Sequence, residues 1–356
     1  MKNIGPLIIN IDDITLSKNE KLVIKHDLIG GIILFSHNYS SKEQLIDLIN
    51  EIKSIKDNIY ICIDHEGGRV QRLLDDFTHL PSLESISNIN DKVLAKDIAY
   101  ASGYIGSCEL SNVGININFS PIVDINHFNE NKLLKDRTFG NDLTTIISLA
   151  SEYIKGTLKG GILPVLKHYP GHGRVISDSH VSHCISDVSY DDLKISDLMP
   201  FQELANTFTK PQIPIMTSHV QYKNIDDKIV TYSRKWLEDK ASLIFTKKAF
   251  FISDDIEMYS AKSKNNKEIP CDERVIMALS AGCRLIIATT MQNSMLINEK
   301  LSHKYFSEKY LTKNIIEYYE KNRDKMFDIE LPDILNSDLT VYNSTLMNLN
   351  KWSSKL

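Results

Sequence analysis

Short apolar runs recur along the chain: LIINI (7–11), GIILF (31–35), IYICI (59–63), ININFSPIV (115–123), ILPVL (162–166), IPIMTS (213–218), AFFIS (249–253) and LIIAT (285–289). Runs that are apolar throughout, without alternation, suit strands covered on both faces. Longer amphipathic stretches separate them, among them Ser41 to Ile55, Lys92 to Val113 and Asp142 to Leu158, with apolar residues at helical spacing. Such alternation predicts parallel strands covered by helices, either closed as a barrel or opened as a doubly wound sheet.

The polar residues that end the runs favour the barrel. Asp64 follows the third run, Asp124 the fourth, Lys167 and His168 the fifth, His219 the sixth, and Asp254 with Asp255 the seventh. In a closed barrel the C-terminal strand ends meet at one mouth, where barrel enzymes keep their active sites; in an open sheet they would spread along an edge. The expected fold is therefore α/β, a (β/α)8 TIM-type barrel forming one domain over residues 1–327. After Met291 the pattern weakens, and 328–356, rich in Asn, Ser and Asp, reads as an appended helical or irregular tail.

Composition narrows the partners. The 356 residues carry a net charge of -5, which supplies no basic footprint for nucleic acid and no polybasic membrane patch. The five cysteines are odd in number and scattered, often inside apolar runs, which suits buried thiols in a reducing compartment. The apolar stretch from Ile4 to Ile11 is followed at once by Asp12 and Asp13, so it reads as a first strand rather than a leader. No apolar stretch reaches the roughly 20 residues that span a bilayer. A cytoplasmic monomer acting on a small ligand is expected.

Five segments carry candidate chemistry. IDHEGGRVQRL (63–73) offers Asp64, Arg69 and Arg72 around Gly67 and Gly68; alone it reads more simply as a turn with an internal ion pair. NFSPIVDIN (118–126) and DRTFG (136–140) offer Asp124 and Arg137, each weak singly. KHYPGHGRVISDSH (167–180) is the most unusual segment: Lys167 and His168 end a strand, and Asp178 stands two residues before His180. On extended backbone that spacing puts carboxylate and imidazole on one side, an acid/base device. Its histidines could instead bind a metal, or the loop could be structural, but no HExxH or HxH pattern supports a metal. In FISDDIEM (251–258), Asp254 and Asp255 form a candidate nucleophile and a neighbour of different pKa, with helix capping as the alternative for one of them.

Together the blocks GGIILFSHN, IDHEGGRVQRL, FSPIVDIN, DRTFG, KHYPGHG with DSH, MTSHVQY, SDDIEM and ALSAGC resemble glycoside hydrolase family 3. The likeness is to its single-barrel beta-N-acetylglucosaminidases of peptidoglycan recycling, and it spans roughly residues 30 to 285. It implies a retaining hydrolase with no cofactor and no metal, releasing terminal beta-linked N-acetylglucosamine from GlcNAc-1,6-anhydro-MurNAc muropeptides. Asp254 would be the nucleophile and Asp178 with His180 the acid/base dyad. Asp64, Arg72, Arg137, Lys167 and His168 would hold the sugar. Three positions depart from the family's habit: His65 in place of Gln, Arg174 in place of Asp after GHG, and Arg284 in place of Asp. The first two are expected to bear on substrate preference, and the glycines at 171 and 173 on loop movement. A substrate-assisted hexosaminidase, another family 3 beta-glycosidase and a noncatalytic sugar sensor are the competing expectations.

Overall fold

The computed structural model describes residues 4–128, 130–131, 133–179, 181–264, 267–289 and 339–353. Each apolar run supplies one strand: β1 Leu7–Ile9, β2 Ile29–Leu34, β3 Tyr60–Ile63, β4 Ile117–Asn118, β6 Ile215–Thr217, β7 Phe251–Ser253 and β8 Cys283–Ile287. The remaining strand, β5, comes in two pieces, Leu163–Pro164 and Leu166–Tyr169, on either side of Val165. The hydrogen-bonded order runs from the first piece of β5 through β4, β3, β2, β1, β8, β7 and β6 to its second piece. A sheet that begins and ends on the same strand has no edge, so the parallel strands close as the expected barrel. Ile122 pairing with Lys167, and the 3.0 Å bond from Val123 N–H to the Lys167 carbonyl, complete the seam.

The runs lack alternation because both faces of each strand are covered. Ile8, Ile33, Cys62, Ile117, Val165 and Ile252 fill the barrel interior, while their chain neighbours, such as Leu7, Ile32 and Ile61, belong to the outer core under the helices. The helices lie where the periodicity puts them. Helix Lys42–Ile55 begins at Ser41, whose hydroxyl accepts from the Gln44 amide, and it buries Leu45, Leu48, Ile49 and Ile52 on one face. Lys92–Asn112 and Leu143–Lys159 are capped in the same way by Asp91 and Asp142.

The described part of the tail is a helix, Leu339–Ser353, which packs on Lys92–Asn112. Leu349 and Trp352 are buried there, and the Tyr342 hydroxyl donates to Glu109 at 2.9 Å. All five cysteines are free thiols, four of them buried. No helix among the described residues is long and apolar enough to cross a membrane.

Candidate active site

The site is built outward from the end of β3. After Ile63 the chain turns into a hairpin, His65–Gly67 with Val70–Gln71. The Asn118 side chain anchors its start as a peptide group would, accepting from the His65 amide at 2.9 Å and donating to the His65 carbonyl at 2.8 Å. Gly67 and Gly68 take positive φ of 97° and 56°, and a Cβ on Gly67 would stand 2.4 Å from the Pro81 carbonyl. The turn leaves Asp64 partly open and drives Glu66 into the mouth, 1% exposed.

Glu66 joins two cations. Arg137 grips it in a fork, Nε to Oε2 at 2.8 Å and a terminal nitrogen to Oε1 at 2.7 Å, and Lys167 Nζ lies 2.6 Å from Oε1. Lys167 Nζ also donates to Asp64 Oδ1 at 2.9 Å, and Arg72 approaches Asp64 Oδ2 at 3.6 Å. Burial alone would raise the Glu66 pKa, but Arg137 and Lys167 outweigh it and hold the carboxyl well below its usual range. For Lys167, burial is opposed by Asp64 and Glu66, and the ammonium is held above its ordinary value. Asp64, Arg72, Arg137 and Lys167 thus form one charged cluster with Glu66 at its base.

A second anchor holds His168. Its Nδ1 meets Asp124 Oδ2 at 2.7 Å, while Asp124 Oδ1 accepts from the amides of His168 at 3.1 Å and His172 at 2.8 Å. Asp124 therefore serves the protein, fixing the His168 ring so that Nε2 is the nitrogen left for a ligand. Asp124, Lys167 and His168 are all buried, the latter two within the second piece of β5 and Asp124 beyond the end of β4.

At the end of β7 the two acids have separate surroundings. Asp255 accepts from the Thr289 hydroxyl, from the Thr289 amide at 3.3 Å and from the Glu257 amide at 3.1 Å. Burial, with Asp254 beside it, pushes its pKa from 3.8 up to about 6. The Asp255 amide in turn donates to Asp254 Oδ1 at 2.8 Å, and the Asp255 carbonyl accepts from His219 Nε2 at 2.9 Å. Because a carbonyl only accepts, His219 carries a proton on Nε2; its Nδ1 lies 2.9 Å from the Thr231 hydroxyl, which also donates to the Ser218 carbonyl at 3.0 Å. Hydrogen bonds from Thr289 and the Glu257 amide thus occupy Asp255, while the Asp254 carboxylate acts electrostatically on Arg137 and His172 across the mouth. His219 secures the backbone that carries Asp254.

The loop after β5 is more firmly held than its glycines suggest. A Cβ on Gly173 would come 1.7 Å from the Ile125 carbonyl, and one on Gly171 would meet the Asp197 side chain at 2.9 Å. These glycines permit close approach to the Ile125 carbonyl and the Asp197 side chain. Arg174 points to the start of helix Leu198–Thr207: its Nε donates to buried Asp197 at 2.9 Å, which His127 also meets at 2.8 Å. The departure at 174 is a loop anchor with its partner supplied. Farther along, Asp178 is partly buried, and its carbonyl accepts from the Val181 and Ser182 amides. His180, the other dyad residue, lies outside the described residues. Ser179 between them accepts on its carbonyl from the Ser260 amide at 3.0 Å, which ties this loop to the segment after Asp254. Among the described residues no group of three or more metal-binding side chains gathers.

Residues 4–315 match the model of the glycosyl hydrolase family 3 N-terminal domain. The chain belongs to that family. It is 35% identical over 284 residues to a beta-hexosaminidase of Psychromonas ingrahamii, covering 80% of this chain and 82% of the relative. A beta-hexosaminidase of Nitrosospira multiformis is 33% identical over 288 residues, 80% of each chain. Among solved structures, NagZ from Neisseria gonorrhoeae superposes with a TM-score of 0.72 at 30% identity, covering 96% of this chain and 90% of that one. Family membership accounts for the barrel and for a mouth built to grip a polar ligand.

Glu66 is the residue that reading the sequence passed over. It stands inside the quoted segment, two positions from Asp64, but an acid beside a Gly–Gly turn looks like a solvated loop residue. The detectable signal was a charge count: the strand ends bring Lys167, Arg72 and Arg137 to one mouth against Asp64, and buried cations need partners.

Proposed function

We propose that this chain is a retaining beta-N-acetylhexosaminidase that releases terminal beta-linked N-acetylglucosamine through a covalent glycosyl-enzyme on Asp254. The observation that carries the reading is the unequal fate of the two acids: Asp255 is buried under three hydrogen-bond donors, whereas Asp254 acts on Arg137 and His172. The relatives cited above bear the name beta-hexosaminidase, and NagZ from Neisseria gonorrhoeae has been crystallised with N-trifluoroacetyl-D-glucosamine.

In this mechanism Asp64, Arg72, Lys167 and His168 hold the sugar hydroxyls, each offering a fixed donor or acceptor. Asp254 attacks the anomeric carbon while His180, oriented by Asp178, protonates the leaving oxygen; the same imidazole then takes a proton from water as the ester is hydrolysed. Arg137, on which the Asp254 carboxylate acts, sets a positive charge near the attacking group. Substrate-assisted catalysis would need a second carboxylate free to orient the acetamido group, and Asp255 is committed elsewhere. Muropeptides ending in GlcNAc linked to 1,6-anhydro-MurNAc, met in the cytoplasm by a monomer, are the substrate class we assign.

Release of 4-nitrophenol from the beta-N-acetylglucosaminide is the first test, followed by trapping with a fluorinated sugar and sequencing of the labelled peptide. A label on Asp254 is expected. Turnover without any trapped ester would sink the covalent route, and no turnover on chromogenic or cell-wall substrates would favour a noncatalytic sensor.

A further inference from the structure

His172 is buried at the mouth, 2% exposed, and the mechanism above gives it no task. Its backbone is pinned from several directions. Its amide donates to Asp124 Oδ1 at 2.8 Å, the Gly171 carbonyl before it accepts from the Tyr222 hydroxyl, and Gly173 after it rests against the Ile125 carbonyl. Yet among the described residues neither Nδ1 nor Nε2 of its ring has a hydrogen-bond partner. Native folds rarely bury a polar group without a reason, and a ring on such fixed backbone is not unpartnered through looseness.

The ring's neighbours show what space it borders. The His168 imidazole lies edge-on, with centroids 5.9 Å apart and planes at 70°, and the carboxylates of Asp124 and Asp254 both act on His172 electrostatically. His172 therefore borders the region between a residue that grips the sugar and the carboxylate that attacks it. Burial, with His168 adding to it, lowers its pKa to about 4 and keeps the ring neutral at physiological pH. A neutral imidazole presents one donor and one acceptor, the complement of a hydroxyl or a secondary amide.

We propose that His172 is a substrate-contacting residue whose imidazole hydrogen-bonds a hydroxyl or the acetamido group of the sugar held between His168 and Asp254. This rests on the hexosaminidase reading, so the test separates the two. Wild type, His172→Ala and His172→Gln are assayed on 4-nitrophenyl beta-N-acetylglucosaminide, on its 3-, 4- and 6-deoxy analogues, and on the glucoside that lacks the acetamido group.

The alanine variant should lose about 10- to 100-fold in kcat/KM on the parent substrate, the range for one buried hydrogen bond. For one analogue that loss should vanish, because the partner group is already gone. An equal loss on every analogue would overturn the proposal and leave a packing role. A crystal structure of wild type with N-acetylglucosamine decides the point even if the variants fail to fold or wild type proves inactive. An imidazole nitrogen within about 3.2 Å of a sugar or acetamido oxygen or nitrogen is expected, and none within about 3.5 Å would overturn the contact.

Discussion

Glu66 clasps Arg137 through two parallel hydrogen bonds of 2.7 and 2.8 Å, although 71 positions separate them. With Lys167 at 2.6 Å the carboxylate is shared between two cations at the base of the mouth, Lys167 buried and Arg137 largely so. Removing one member of a buried ion pair strands the others, at about 3–5 kcal/mol. Glu66→Gln should therefore lower the urea midpoint by about that equivalent and raise KM, since Lys167 and Arg137 lose their common brace. An unchanged midpoint would mean the cations repartner with Asp64 alone.

The barrel was legible because each strand falls in a mostly apolar run, from LIINI to LIIAT, and covering both faces leaves few polar positions, such as Asn118, within it. Asp64, Arg137, Lys167, His168 and Asp254 were legible because each lies in a block that resembles the family or ends a strand. The Glu66–Arg137 fork was not, because it joins residues that only barrel closure brings together. The partner of Arg174 was hidden for the same reason. That partner, Asp197, sits 23 positions on, just before a helix whose approach no local pattern announces.

The two acids after β7 predict opposite outcomes for one conservative change. Asp254→Asn removes the attacking oxygen's charge and should abolish turnover while leaving the fold intact. Asp255→Asn can still accept from the Glu257 and Thr289 amides and donate to the Thr289 hydroxyl, so activity at neutral pH should stay within about tenfold of wild type. Steady-state rates on the aryl glycoside compare them directly. Equal loss in both variants would erase the division of labour.

His65 predicts an acid-sensitive fold. Burial, with Arg72 adding to it, lowers its pKa from 6.5 to about 3, so the unfolded chain takes up a proton that the folded one refuses. The sign follows: this contribution is fully present above about pH 6.5 and is lost as pH falls toward 3, at about 1.4 kcal/mol per pH unit. His65→Gln, the family's usual residue, removes that one titration. The difference in unfolding free energy between variant and wild type should then change by about that slope between pH 6.5 and 5, and a flat difference would show that His65 does not titrate there.

Ser260 joins the three segments that the mechanism needs in register. Its hydroxyl donates to the His219 carbonyl at 2.6 Å and accepts from the Cys184 amide at 3.4 Å, while its own amide holds Ser179 between the two dyad positions. Ser260→Ala keeps the amide contact but removes both hydroxyl hydrogen bonds, a cost of about 1–3 kcal/mol. If that loosened the dyad relative to Asp254, the loss would fall on proton donation, and substrates with poor leaving groups, which depend on the acid, would suffer most. Rates across aryl glycosides of graded leaving-group pKa should therefore show a steeper dependence in the variant than in wild type, with Ser260→Thr restoring the shallower slope. A parallel drop for every leaving group would instead assign Ser260 to stability alone, because a uniformly weakened fold does not distinguish good leaving groups from poor ones.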